Sequence, residues 1–236
     1  MMDETSQNFI LFTTGWKAYQ AILEHDYLWH SLAERELKSA LLEKFGPDQP
    51  FSFLDLACGD ARTTSKVLAD FPHCHYTGVD SSREALNQAT SFVSVIGDNV
   101  NLATQDYLEF LRTTDQQFDC IYSGLVAHHL GASRIGMLFK LIKKCLRPGG
   151  VFMAFESFHL DDESRDDHTS RLCDMIRHFW QKMPENYRQN IIDHVTSFDY
   201  PVSFQAWNEN AIAAGLSPIR INTVSPDRLL AFVSHH

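Results

Sequence analysis

The sequence predicts an α/β fold: a doubly wound, mostly parallel sheet of seven strands, the last antiparallel, with helices on both faces. Three observations carry this. Short apolar runs alternate with helix-period stretches between residues 51 and 156, the signature of a parallel sheet covered on both sides. A loop of small residues, Ala57-Cys58-Gly59-Asp60-Ala61, joins the first run to the first helix of that series. From 158 to 200 the alternation gives way to acidic, helical sequence.

In chain order, Trp16, Tyr19, Leu23 and Tyr27, then Leu37, Ala40, Leu41 and Phe45, recur at helical spacing, and Gly46-Pro47 stops the pattern, as Gly at a helix end followed by Pro does. Residues 1–46 therefore read as a helical cap on a single domain of 1–236. Phe51–Leu56 reads as a buried strand and Asp60–Phe71 as a helix closed by Pro72. His75–Asp80 is the next strand, and Ser81 with Glu84 has the spacing of a capping box. Strands follow at Asn99–Thr104 and Phe118–Ser123, a helix at Ser133–Leu146, and a turn, Arg147-Pro148-Gly149-Gly150, into a fifth strand from Val151 to Phe155.

The helical insertion, 158–200, shows two apolar stripes separated by Pro184: Leu172, Met175, Ile176, Phe179, Trp180 and Met183, then Tyr187, Ile191, Ile192 and Val195. A helix near Ser203–Ala214 and a closing strand pair, Pro218–Val224 and Arg228–Val233, complete the series.

Bulk properties narrow the partners. Of the 236 residues, 44% are hydrophobic, enough for a sizeable core. A formal net charge of −10 opposes a phosphate backbone, and the densest basic group, Lys143, Lys144 and Arg147, sits where a helix ends and cations suit the dipole. Nucleic acid is not expected as a partner. Five scattered cysteines with no C-x-x-C pair read as reduced, buried thiols. The acidic start, Met1-Met2-Asp3-Glu4, lacks the order of a signal peptide, and no apolar run approaches the ~20 residues that span a bilayer. A cytoplasmic protein without membrane attachment is the expectation, as monomer or homodimer. His235-His236 at the end is assigned no role.

The chemistry concentrates in Leu54-Asp55-Leu56-Ala57-Cys58-Gly59-Asp60-Ala61-Arg62, which leaves the first strand and opens a helix. In open parallel sheets, ligands lie beyond the carboxyl ends of strands, and small residues there let backbone approach a ligand. Asp80 ends the second strand, where a carboxylate can accept from both hydroxyls of a ribose. The dinucleotide fingerprint G-x-G-x-x-G is missing, which disfavours NAD, whose pyrophosphate needs those glycines.

The stretch resembles the glycine-rich first motif, acidic-x-Gly-x-Gly-x-Gly, of the class I (Rossmann-like) methyltransferases that use S-adenosylmethionine (SAM). Asp55 fits the acidic position and Gly59 the central glycine, while Ala57 and Ala61 stand where the family has glycine. Gln105-Asp106 is similar to the family's adenine-side residues, Asp106 serving equally as a helix cap with Glu109. Phe118–Ser123 resembles the family's fourth strand, and Leu146-Arg147-Pro148-Gly149-Gly150 its Leu-Lys-Pro-Gly-Gly turn. The motifs cover residues 51 to 156.

The resemblance implies SAM as cofactor, S-adenosylhomocysteine (SAH) as product, and a cofactor site of Asp55, Ala57, Cys58, Gly59, Arg62, Asp80, Ser81, Gln105, Asp106, Tyr107, Ser123 and Gly124. It also implies methyl transfer by in-line displacement to an oxygen, nitrogen or carboxylate of a small-molecule acceptor. A protein or RNA acceptor, or SAM binding without transfer, are the alternatives.

His128-His129-Leu130 is similar to a His-His-Leu run after the family's fourth strand. His128 and His129 are candidates for a general base or a substrate contact, since imidazole titrates near neutrality; packing beside the cofactor is the plainer role. No metal is expected, because adjacent residues rarely face one ion and no partner cluster is visible. Trp16, Tyr19, Tyr27, His159, Phe179 and Trp180, with His128, are candidates to line the acceptor pocket, core packing being the competing role for the aromatic stripes.

Overall fold

The computed structural model describes residues 16–225 and 228–234, with side chains described from 17 to 218. Two helices come first, α1 (Trp16–Glu24) and α2 (His30–Phe45). The expected single pattern breaks between them, where Asp26 and Trp29 take positive φ of 51° and 55°. Four strand–helix units and a fifth strand follow: β1 (Phe51–Leu56), α3 (Arg62–Leu68), β2 (Cys74–Asp80), α4 (Arg83–Val93), β3 (Val100–Thr104), α5 (Tyr107–Thr113), β4 (Phe118–Gly124), α6 (Ala132–Cys145) and β5 (Leu146–Ser157). Then come α7 (Arg165–Phe179), α8 (Glu185–Phe198), α9 (Phe204–Ala213), β6 (Ser217–Ser225) and β7 (Arg228–Ser234).

The strand order is β3-β2-β1-β4-β5-β7-β6. Neighbours from β3 through to β5 pair in parallel, and β7 runs antiparallel to its two neighbours. Strand order reverses between β1 and β4, so the chain diverges there and leaves a crevice at the carboxyl ends. The Arg147–Gly150 stretch, expected as a turn, belongs to β5, with Gly149 at φ 75° and a register shift against β4 between Phe118 and Cys120.

Period-two alternation sorts the strand side chains into two cores. Leu54, Leu56, Val79, Ile121, Phe152 and Ala154 pack under α5, α6 and α9, where α6 contributes Ile135, Leu138, Phe139 and Ile142 at helical spacing and α9 contributes Trp207. Phe53, Tyr76, Cys120, Tyr122, Met153 and Phe155 face the other side, against Leu37 and Leu41 of α2 and Val67 and Leu68 of α3. Each such side chain contributes roughly 1.5–3 kcal/mol of burial. A third cluster joins Ala18 and Ile22 of α1 to Leu172, Ile176 and Trp180 of the α7 stripe and Ile191, Ile192 and Val195 of α8. The two stripes read around Pro184 thus pack on each other and on α1, and Pro184 itself caps α8.

Three helix starts carry functional weight. Ser82, not Ser81, caps α4, accepting from the Ala85 N–H at 3.2 Å. This frees Ser81 to face a cavity. Asp106 caps α5, accepting from the Glu109 N–H at 2.9 Å. Ser164 and Asp167 form a reciprocal capping box at α7. All five cysteines are free thiols. Among the described residues no helix is long and apolar enough to cross a membrane.

Candidate active site

A cavity of about 990 Å³ opens at the carboxyl ends of β1–β5, at the point where strand order reverses. Loop 57–61 forms one wall. Ala57, Gly59 and Ala61 alternate in the left-handed region at φ 50°, 57° and 55°. The glycines of the family motif are explained by this geometry: two alanines here hold a conformation that glycine adopts without strain. The loop is pinned from below. The Cys58 N–H donates to the Val79 carbonyl at 3.0 Å, and the Gly59 N–H donates to Asp80 Oδ2 at 2.8 Å.

Asp80 is 4% exposed. Its other oxygen, Oδ1, accepts from the Ser82 N–H at 2.7 Å. Burial raises its pKa, partly offset by those N–H donors from Ser82 and Gly59. Asp55 lies deeper, accepting from Thr64 Oγ1 at 2.6 Å and Tyr76 OH at 2.9 Å. Burial pushes it up to about 7 despite both donors. Asp60, also raised by burial, forms an ion pair with Arg62 at 3.3 Å, and the Arg62 guanidinium lies 4.7 Å from the Phe92 ring centre.

Four aspartates (55, 60, 80, 106) and two arginines (62, 134) line the cavity. This donor set fits SAM: carboxylate for a ribose diol, an acidic surround for a sulfonium cation, and a volume at the upper end of the ~300–1,000 Å³ range of small-molecule sites.

Of the residues chosen from the sequence, Asp55, Ala57, Cys58, Gly59, Arg62, Asp80, Ser81, Asp106, Tyr107 and Gly124 line this cavity, as do Tyr19 and His129. Others do not. Gln105 points its amide at Thr113 Oγ1, and only its N–H serves the site's frame, donating to the Asp80 carbonyl. Ser123 is buried at 1% exposure, its hydroxyl without a hydrogen-bond partner. Tyr27 stacks on Trp180 at 4.8 Å in the third cluster, so both serve packing. Phe179 is 76% exposed, on the outer face of α7. His159 turns Nδ1 to the Leu160 carbonyl. The side chain of Trp16 and the pair His235-His236 lie outside the described residues.

The cavity also takes residues that sequence reasoning passed over: Asp60 and Thr64 beside the first motif, Leu125 and Val126 after β4, and Ser197, Phe198 and Tyr200 from α8 and its exit. Asp60 sat within a motif already singled out and Thr64 two residues beyond it. The α8 group carried no local signal.

His128 stands just behind this wall. Its Nδ1 lies 2.8 Å from Glu156 Oε2, and Glu156 also accepts from the backbone N–H groups of Val126, Ala127 and His128. Burial pushes the Glu156 pKa up, but His128 and those N–H donors outweigh it and hold the carboxyl below its usual range. On the far side, Asp199 Oδ1 lies 3.7 Å from His128 Nε2, 3.4 Å from His129 Nδ1 and 3.6 Å from His194 Nε2. Burial again opposes, and the three histidines win, keeping Asp199 well below the carboxylate range. His194 itself is lowered to about 4, by burial first, against the pull of Asp199. The histidine pair, for which no acidic partner was visible in sequence, thus has two.

The fold is a doubly wound α/β domain with a cavity at the point where strand order reverses. Comparison with known proteins agrees. A family model described as a methyltransferase domain matches residues 53–150. Sterol 24-C-methyltransferase ERG6A of Gibberella zeae is 26% identical over 165 residues, which is 69% of this chain and 39% of that protein, so the chain spans well under two thirds of that relative's length. Among solved structures, the 1,6-didemethyltoxoflavin-N1-methyltransferase of Burkholderia thailandensis, with its substrate and SAH bound, superposes with a TM-score of 0.65 over 100% of this chain and 92% of that one, at 15% identity. The DhpI–SAH complex superposes with a TM-score of 0.64 over 98% and 95%, at 18% identity. Residues 53–150 thus resemble a methyltransferase domain, and the fold is one shared with methyltransferases of known structure.

Proposed function

We propose that this protein transfers the methyl group of SAM to a small-molecule acceptor bound in the same cavity. One observation carries the reading: Asp80, a nearly buried carboxylate oriented by the Gly59 and Ser82 N–H groups, stands on the wall of a cavity at the reversal point of the sheet. Asp80 would take the ribose hydroxyls, the 57–61 backbone would lie against the amino-acid portion, and Asp106 with Tyr107 would border the adenine. SAM supplies an electrophilic methyl on a good neutral leaving group.

The protein's own contribution is then positioning. Reaction needs an acceptor atom held ~3–3.5 Å from the methyl carbon in line with sulfur. Tyr19 of α1, His129 after β4, and Phe198 and Tyr200 at the end of α8 converge on the cavity from elements outside the sheet, and these are the residues we assign to the acceptor side. Residues 16–46 and 158–200 act in this reading as a cap and lid that exclude water, and the rest of the 1–46 cap lies outside the described residues. His129 is the side chain placed to accept a proton where the acceptor carries one; a carboxylate acceptor needs none.

The relatives bracket the chemistry by their names, a sterol carbon in one and a ring nitrogen in another, and the acidic surround favours neutral or cationic acceptors over polyanions. Incubation with SAM and pooled small-molecule acceptors, with SAH quantified against a control without acceptor, tests the reading. Acceptor-dependent SAH supports it. SAH formed only with protein or RNA present would overturn it.

A further inference from the structure

The cluster behind the cavity wall has a geometry that hydrogen bonding does not account for. Asp199 is 7% exposed, and its Oδ1 has no hydrogen-bond partner. Imidazole nitrogens stand around it at 3.4 Å, 3.6 Å and 3.7 Å, beyond the ~2.7–3.2 Å of N–H···O bonds. His128 Nδ1 lies 2.8 Å from Glu156 Oε2, which turns its other ring nitrogen, Nε2, towards Asp199.

We infer that His128 Nε2, His129 Nδ1 and Asp199 Oδ1 form a binding site for a divalent first-row cation of the zinc class. These three atoms lie within 4.8 Å of one another. Metal–ligand bonds of about 2.0–2.1 Å in a tetrahedral zinc site place neighbouring ligand atoms roughly 3.4 Å apart, which is the separation of Asp199 Oδ1 from both histidines to within a few tenths of an ångström. The outer contact is present as well. A carboxylate on the far nitrogen of a metal-ligating histidine fixes its tautomer and raises its basicity, and Glu156 holds that place on His128. His129 Nδ1 also lies 3.2 Å from the Phe198 carbonyl. In the metal-free protein that nitrogen carries the proton and donates it there. Cation binding requires Nε2–H instead, so binding relocates a proton, and the base role assigned to His129 belongs to the cation-free protein. His194, on the other side of Asp199, is the next donor within reach.

The site ties the turn after β4 to the end of α8, and His129 and Phe198 belong to the cavity lining. A bound cation would therefore sit at the border of the cavity. Nothing in this site depends on SAM, so its test is separate.

Full-length protein stripped with chelator is titrated with Co²⁺, followed by absorption in the visible d–d region, and competed with Zn²⁺. The expected result is one Co²⁺ per chain with the intense bands of a four-coordinate site, bleached by Zn²⁺. Asp199→Asn and His128→Gln should each weaken binding at least about 100-fold, and Glu156→Gln about 10–100-fold. His178→Ala, on the exposed face of α7 with Nδ1 on the Asp174 carbonyl, should leave it unchanged. Circular dichroism separates loss of fold from loss of ligand, and SAH affinity provides a second check of integrity. Binding of equal strength in wild type and Asp199→Asn, or no binding by folded wild type at about 100 μM Co²⁺, would overturn the assignment.

Discussion

Two groups of buried carboxylates flank the cavity and have opposite electrostatics. At the ends of β1 and β2, Asp55, Asp60 and Asp80 are all raised by burial, with hydroxyl and N–H donors beside Asp55 and Asp80 and a single guanidinium beside Asp60. At the end of β5 and the exit of α8, Glu156 and Asp199 are buried as deeply yet lowered, because histidines surround them. Burial costs a charge on both sides. Only the second side sets histidines against its carboxylates. On the proposed reading, the first is completed by the nucleoside of SAM. The second is a preassembled polar hinge between sheet and helices.

The largest effect should come from breaking the second side. Glu156→Ala leaves His128 and the N–H groups of Val126, Ala127 and His128 without their acceptor. Urea titration should show a loss of about 3–5 kcal/mol. A loss under about 1 kcal/mol would mean the network is not a structural hinge.

The two sides should also separate by pH. Glu156 and Asp199 have folded pKa values below their ordinary ones, so their stabilisation is present above about pH 4.5 and lost as pH falls through their folded values. Asp55 has the opposite sign. Its folded value of about 7 lies above the ordinary 3.8. Its favourable contribution is complete below about pH 4 and is lost as pH rises to 7 and beyond. Asp55→Asn removes that titration, so its stability relative to wild type should rise by roughly 1–3 kcal/mol between pH 5 and pH 8. Parallel curves for the two proteins across that range would contradict the assignment.

The smallest effect concerns the loop. Ala57→Gly and Ala61→Gly should each raise the melting midpoint slightly. Left-handed strain of about 1–2 kcal/mol at a non-glycine residue exceeds the roughly 0.4–1 kcal/mol that a freer unfolded chain costs. A fall in the midpoint for both would show that the alanine methyls pack better than the backbone strain suggests.

The same contrast explains what the sequence could be made to say. The first side was legible because its parts are local. Asp55, Gly59 and Asp80 sit at strand ends, and strand ends show as apolar runs giving way to small or acidic residues. The second side is assembled from afar. His128 and Glu156 are joined through a strand pair, and Asp199 comes from beyond two helices. Glu156 lies inside an apolar run and Asp199 in an acidic one, so neither stands out by composition. With no sequence signal joining them, the histidine pair read as having no acidic partner. Tyr27, Phe179 and Trp180 were ambiguous in the opposite way. A helical aromatic stripe tells that a face is buried, not what buries it, and here α1, α7 and α8 bury most of theirs in one another. The Ser81 cap slipped by one residue for a simpler reason: two adjacent serines offer the same hydroxyl, and only backbone geometry selects Ser82.

The central claim is that the wall at the ends of β1 and β2 is a SAM site with Asp80 at its centre. Calorimetric titration of wild type and Asp80→Ala with SAM and with SAH tests it most directly. The account predicts one molecule bound per chain at micromolar affinity by wild type, weakened at least about 100-fold in the variant, since two hydrogen bonds to a charged acceptor are worth about 3 kcal/mol or more. Well-folded wild type that binds neither ligand, or a variant that binds as tightly as wild type, would contradict it.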